Sequence, residues 1–139
     1  MNKIVTALLQ LNGWVAVLIG SFIVLDPVTL LQPYGLQSEL SAGLLSELRA
    51  PGGLLIGCGL LIVRCSIAAE LHQLGLMASA MVYGGYGSVR LLGFLVDGQP
   101  PTEILIAFAI EVVLFAAALF TIVSVKRGSR STILNQLKV

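Results

Sequence analysis

The sequence predicts an all-α membrane protein, a four-transmembrane-helix bundle with a long outer loop between helices 1 and 2. Three observations carry this. Of 139 residues, 57% are apolar and only 11% charged, whereas soluble domains carry about 25% charged residues. Mean hydropathy is +0.97. The charges gather at intervals and leave apolar runs long enough to cross a hydrocarbon core of about 30 Å. An ordinary soluble enzyme and a disordered chain are disfavoured by this composition, and a net charge of +1 leaves no basic surface for nucleic acid.

The first span, residues 4–25, is free of charge between Lys3 and Asp26. It is too long for the apolar part of a signal peptide, and Ile23-Val24-Leu25-Asp26-Pro27 lacks the small residues of a cleavage site. It reads as an uncleaved helix. A long outer loop follows, opened by Asp26-Pro27 and broken at Gln32-Pro33-Tyr34-Gly35. Leu40, Leu44, Leu45 and Leu48 then recur at helical spacing, as in a short interfacial helix over Leu36 to Leu48 that runs into the second span. That span covers residues 46–63, its charge-free run Ala50 to Val63 lying between Arg49 and Arg64, and is the shortest of the four.

After a tight inner connection around Arg64 to Gln73, the third span covers 71–96 and contains Arg90. The breaker Asp97-Gly98-Gln99-Pro100-Pro101 ends it. The fourth span covers 104–125 with one charge, Glu111, and residues 126–139 form a basic cytoplasmic tail. The whole, 1–139, reads as one domain. Lys3, Arg64, Lys126, Arg127, Arg130 and Lys138 fall on one side of the bundle. Asp26, Glu39, Glu47, Asp97 and Glu103 fall on the other, with Arg49 at a helix start. Positive flanking residues stay inside, so both termini are expected in the cytoplasm.

The deep charges are the candidate site. Arg90 stands seven residues before Asp97, and Glu111 eight after Glu103. At 1.5 Å per residue both lie roughly 10–12 Å below the same boundary. Charges at such depth face the bundle interior and pair, so Arg90 and Glu111 are expected to be neighbours. Arg49 and Glu47 open the second helix above them, while Tyr83 and Tyr86 share the face of Arg90. These six residues form the expected polar or ligand-binding cluster. Gly53 and Gly57 make a small-xxx-small pair, with Gly52 and Gly59 on an adjoining stripe. Gly84, Gly85 and Gly87 precede Arg90, and all these glycines suit close helix packing.

Other chemistry is sparse. His72, the single histidine, lies near the inner end of the third helix. Cys58 and Cys65 are seven apart on one helix, roughly 10 Å along its axis, too far for a disulfide. No metal-ligand spacing occurs, and neither a cofactor nor a catalytic residue is expected.

The stretch Ser46-Glu47-Leu48-Arg49-Ala50-Pro51-Gly52-Gly53-Leu54-Leu55-Ile56-Gly57-Cys58-Gly59 resembles the second-helix motif of the bacterial family known as domain of unknown function 4345. Ser88-Val89-Arg90-Leu91-Leu92-Gly93, Asp97-Gly98-Gln99-Pro100 and Glu111 are similar to its third and fourth helices, and Gly20 with Asp26-Pro27 to its first-helix end. Pro51 departs from the pattern at a place near a helix start, where proline is tolerated. The resemblance covers nearly the whole chain and implies a small four-helix inner-membrane protein without an established activity.

The expected function is accordingly non-catalytic: binding of lipid or a small hydrophobic ligand, or service as an accessory subunit of a membrane assembly. The expected partners are the bilayer, that ligand, and a second copy or another membrane protein. The alternative is a small transporter or proton-coupled protein using the Arg90/Glu111 cluster.

Overall fold

The computed structural model describes residues 3–31 and 41–136, with side chains for 3–29 and 41–125. Among the described residues the chain is helical apart from short connections, and strands are absent. Helix α1 spans Lys3–Leu25 and α2 is the short Pro27–Leu31. Between them Asp26 accepts a 3.1 Å hydrogen bond on Oδ1 from the Thr29 N–H, with Pro27 at the first helical position. Hydrogen bonding from the Thr29 side chain, and then from its N–H, holds the Asp26 carboxyl below its ordinary range. Because the folded value is depressed, the stabilisation is present above the ordinary carboxylate range and is lost as pH falls through the lowered value. The Thr29 amide resonance is therefore expected to titrate with a midpoint below that range, and a flat profile would mean that the cap is not formed.

Helix α3 spans Ala42–Ile67, capped by Ser41, whose Oγ accepts from the Leu44 N–H at 3.3 Å. It starts four residues earlier and ends four later than the expected 46–63 span. Residues 42–48 are its first turns rather than a separate interfacial helix; Leu36 and Leu40 lie outside the described residues. Pro51 consequently sits inside α3, not near its start, and deprives the Glu47 carbonyl of its helical donor. A 3₁₀ turn, Ala69–Leu71, leads to α4, His72–Val96. Gly98 ends that helix with φ of 95°, a conformation that glycine adopts without strain. Helix α5 runs Thr102–Gln136 without a break, so the backbone of the expected tail is helical up to residue 136.

Three helices, α1, α3 and Thr102–Val125 of α5, are long and apolar enough to cross a membrane among the described residues. α4 is long enough, but Arg90, two tyrosines and five glycines dilute its hydropathy.

The contacts give the directions. A Cβ on Gly13 would lie 2.8 Å from the Gly59 carbonyl, and one on Gly20 would lie 2.6 Å from the Gly52 carbonyl. α1 and α3 are thus antiparallel and joined through two glycine pairs, Gly13–Gly59 and Gly20–Gly52, which stand seven residues apart along each helix. Gly53 and Gly57, the expected packing pair, have nothing within 4 Å. The contact stripe is the adjoining one, Gly52 and Gly59. Between α1 and α4, Asn12 meets Ser79, while Leu9 touches Gly75, so these helices run parallel. α5 packs chiefly on α4 and antiparallel to it, with Phe115 on Gly84 and Phe108 edge-on to Phe94 at 5.2 Å. The result is an up-and-down bundle. Val5, Leu9, Ile62 and Leu76 fill one half of its core; Ala16, Leu55, Tyr83 and Leu114 fill the other.

Candidate functional site

The second core cluster supports the charged residues. Arg90 lies near the end of α4 and Glu111 two and a half turns into α5. Antiparallel packing of the two helices brings them to the same level. The Arg90 Nε donates to both carboxylate oxygens of Glu111, at 2.9 and 3.0 Å. The Arg90 side chain is 27% exposed and that of Glu111 10%. Gly87, one turn before Arg90, faces the same place, and a Cβ there would stand 4.0 Å from the Glu111 Cβ, at ordinary contact distance. The pair expected from matched depth is therefore formed. The Nη groups of Arg90 have no protein acceptor among the described residues.

Beside this pair lies a cavity of about 570 Å³ between α1, α4 and α5. Its apolar wall comes from Leu18, Phe22 and Ile23 on α1 with Ile104, Ala107 and Ile110 on α5. Arg90, Glu111 and Tyr86 contribute its polar side, and Thr29 and Glu103 lie at the end where α1 stops and α5 begins. Leu18, Phe22 and Ile110 remain exposed while lining it. The cavity is consequently open sideways between α1 and α5, which touch each other little. Volumes of about 300–1,000 Å³, mainly apolar with a few convergent polar groups, are typical of small-ligand sites. A second hollow of about 440 Å³ between α3 and α4 is lined by Cys58, Gly85 and Tyr86 among apolar side chains.

Two expected members of the cluster, Arg49 and Glu47, are placed elsewhere. Arg49 is exposed and its Nε donates to the Val24 carbonyl at 3.1 Å, serving the C-terminal end of α1 rather than the pair. Cations there complement the helix dipole. Glu47 is exposed on the first turns of α3. Tyr83 is buried, but its hydroxyl donates to the Asn12 carbonyl, so only its ring reaches the cavity. Tyr86, half-buried, does line the cavity with Arg90 and Glu111.

Charge spacing does not reveal a second set of polar contacts, which lies between α1, α3 and α4. Asn12, fully buried, donates from Nδ2 to the Ser79 hydroxyl, and its Oδ1 has no partner among the described residues. Gln10 donates to the Ser66 hydroxyl at 2.5 Å and accepts from the Trp14 indole at 3.0 Å. His72 Nε2 lies 3.1 Å from the Ser66 carbonyl and 3.5 Å from the Thr6 hydroxyl. The signal is the helical register of His72, Ser79, Tyr83 and Arg90, which puts α4's polar residues on one inward face. The layer of Leu9, Ile62 and Leu76, each at most 2% exposed, separates His72 from Asn12 and Ser79.

Among the described residues no group of three or more His, Cys, Asp or Glu side chains could hold a metal ion. Residues 4–122 match the family model described as domain of unknown function (DUF4345). No curated protein and no solved structure matches the chain.

Proposed function

The chain belongs to the DUF4345 family, and on that premise we propose that it is a bacterial inner-membrane protein of four spanning helices that binds a lipid or small hydrophobic molecule without transforming it. The observation that carries the proposal is the cavity between α1, α4 and α5, apolar over most of its wall and open toward where the acyl chains would be. α4 serves as the remaining span. Its 25 residues reach roughly 37 Å at 1.5 Å each. Two of its polar residues, Ser79 and Tyr83, are buried against α1, out of contact with lipid.

The positive-inside rule gives the orientation. Lys3 and Arg64 stand at one end of the bundle with the basic residues beyond Val125; Asp26, Glu47, Asp97 and Glu103 stand at the other. Both termini are then cytoplasmic, and the Arg90–Glu111 pair lies in the outer half of the membrane. Binding rather than chemistry suits the polar lining. Arg90 and Glu111 neutralise each other, and the Tyr83 hydroxyl is taken by a backbone carbonyl.

Native mass spectrometry of the detergent-solubilised protein tests the proposal. The wild type is expected to retain a discrete lipid or hydrophobic adduct. Ala107→Phe, which fills the cavity, should release it with little change in melting temperature. An adduct of equal occupancy in that variant would place binding elsewhere, and a bare wild-type protein would count against binding.

A further inference from the structure

We infer that the cavity takes a neutral glycerolipid, with the glycerol head held between the Nη donors of Arg90, which have no acceptor among the described residues, and the Glu103 carboxylate. This rests on the proposed binding role of the cavity and adds the class of ligand.

The ionisable groups lining the cavity are Arg90, Glu103 and Glu111, besides two tyrosines. One positive and two negative formal charges leave the lining at −1. An anionic head reaching Arg90 would also meet the Glu111 carboxylate, already within 3.0 Å of the guanidinium. In a low-dielectric setting that repulsion opposes the attraction. A cationic head gains little, because the buried carboxylate already accepts from Arg90 on both oxygens.

Hydrogen-bond capacity then selects among neutral heads. The Nη groups of Arg90 are donors only, and charged donors make the stronger bonds. The head must therefore present acceptor oxygens at the level of Arg90. At the end of the cavity, Glu103 offers only acceptors when ionised and Thr29 offers a hydroxyl, so the head must also carry donors there. A glycerol head meets both demands through ester oxygens and free hydroxyls. A carbonyl-only amphiphile meets the first alone. The exposed apolar residues Leu18, Phe22 and Ile110 provide the exit for its chain between α1 and α5.

The test uses the full chain in dioleoylphosphatidylcholine vesicles with three diazirine probes of equal chain length: a monoacylglycerol, a fatty acid and a fatty amine. The readout is labelling of α5 over residues 104–110, displaced by unlabelled monoolein. The monoacylglycerol is expected to label saturably at the lowest concentration of the three. In the double variant Arg90→Leu, Glu111→Leu its half-saturation should rise about tenfold, the worth of one hydrogen bond to a charged donor. Should that variant not fold, Arg90→Lys, which keeps the charge but loses the planar fork, should show a several-fold rise. Tighter labelling by the fatty acid or fatty amine, or unchanged labelling in the folded variants, overturns the glycerolipid assignment and leaves the cavity as a binding site. Absence of saturable labelling by all three probes overturns both.

Discussion

Replacing Glu111 or Arg90 singly by leucine is expected to lower stability by about 3–5 kcal/mol, the cost of leaving one charge of a buried pair alone. Glu111→Leu strands a guanidinium that stays protonated, and Arg90→Leu strands a carboxylate whose side chain is 10% exposed. The 27% exposure of Arg90 gives its guanidinium some access beyond the pair, so Glu111→Leu falls toward the lower end of that range. The double change removes both charges together and should cost much less than the sum of the single changes. Denaturant titration of the detergent-solubilised variants reads this directly. Additive losses, or a silent Glu111→Leu, would show that the two side chains do not act as a pair. Arg49→Leu should add independently to either, because Arg49 bonds the Val24 carbonyl and not the pair.

The second large effect is expected in the seam between α1 and α3. A Cβ on Gly59 would stand 2.7 Å from the Gly13 carbonyl and 2.9 Å from the Val17 nitrogen. Backbone atoms cannot swing aside as a side-chain end can, so the helices must separate. Overpacking of this kind costs about 1–3 kcal/mol, and Gly59→Leu should reach or exceed the top of that range. Gly57, two residues away on the same helix, is the control. With nothing within 4 Å of its Cβ position, Gly57→Ala should be neutral or stabilise by up to about 1 kcal/mol through helix propensity. The same unfolding titration checks both. Equal responses at Gly57 and Gly59 would contradict the register of the seam.

The distribution of these effects follows what the sequence exposes and what it hides. Charges are costly in an apolar chain, so their positions are informative: Asp26, Asp97 and Glu103 mark helix ends, and matched depth brings Arg90 to Glu111. Depth alone does not give the rotation of a helix about its axis. Arg49 begins from the same end of the bundle, yet α3 turns it toward the α1 terminus. Glycine is ambiguous for a related reason. Gly52, Gly53, Gly57 and Gly59 all fit small-residue packing. The discriminating signal is the seven-residue spacing of Gly52–Gly59, repeated in Gly13–Gly20 on the partner helix. Neutral polar residues hide best. Asn12, Ser66 and Ser79 do not interrupt an apolar run, though all three are fully buried and hydrogen-bonded. The start of α3 at Ala42 is blurred because Leu44, Leu45 and Leu48 suit an interfacial turn as well as a continuous helix.

If the proposed binding role is right, one kind of hydrophobic molecule occupies the cavity beside the Arg90–Glu111 pair in the native membrane. Photo-crosslinking in intact cells measures this, with benzoylphenylalanine placed either at Ala107, which lines the cavity, or at Val112, which is exposed on α5 and does not. One dominant adduct mass is expected at Ala107 and the mixed masses of bulk membrane lipid at Val112. The same mixture at both positions would contradict it.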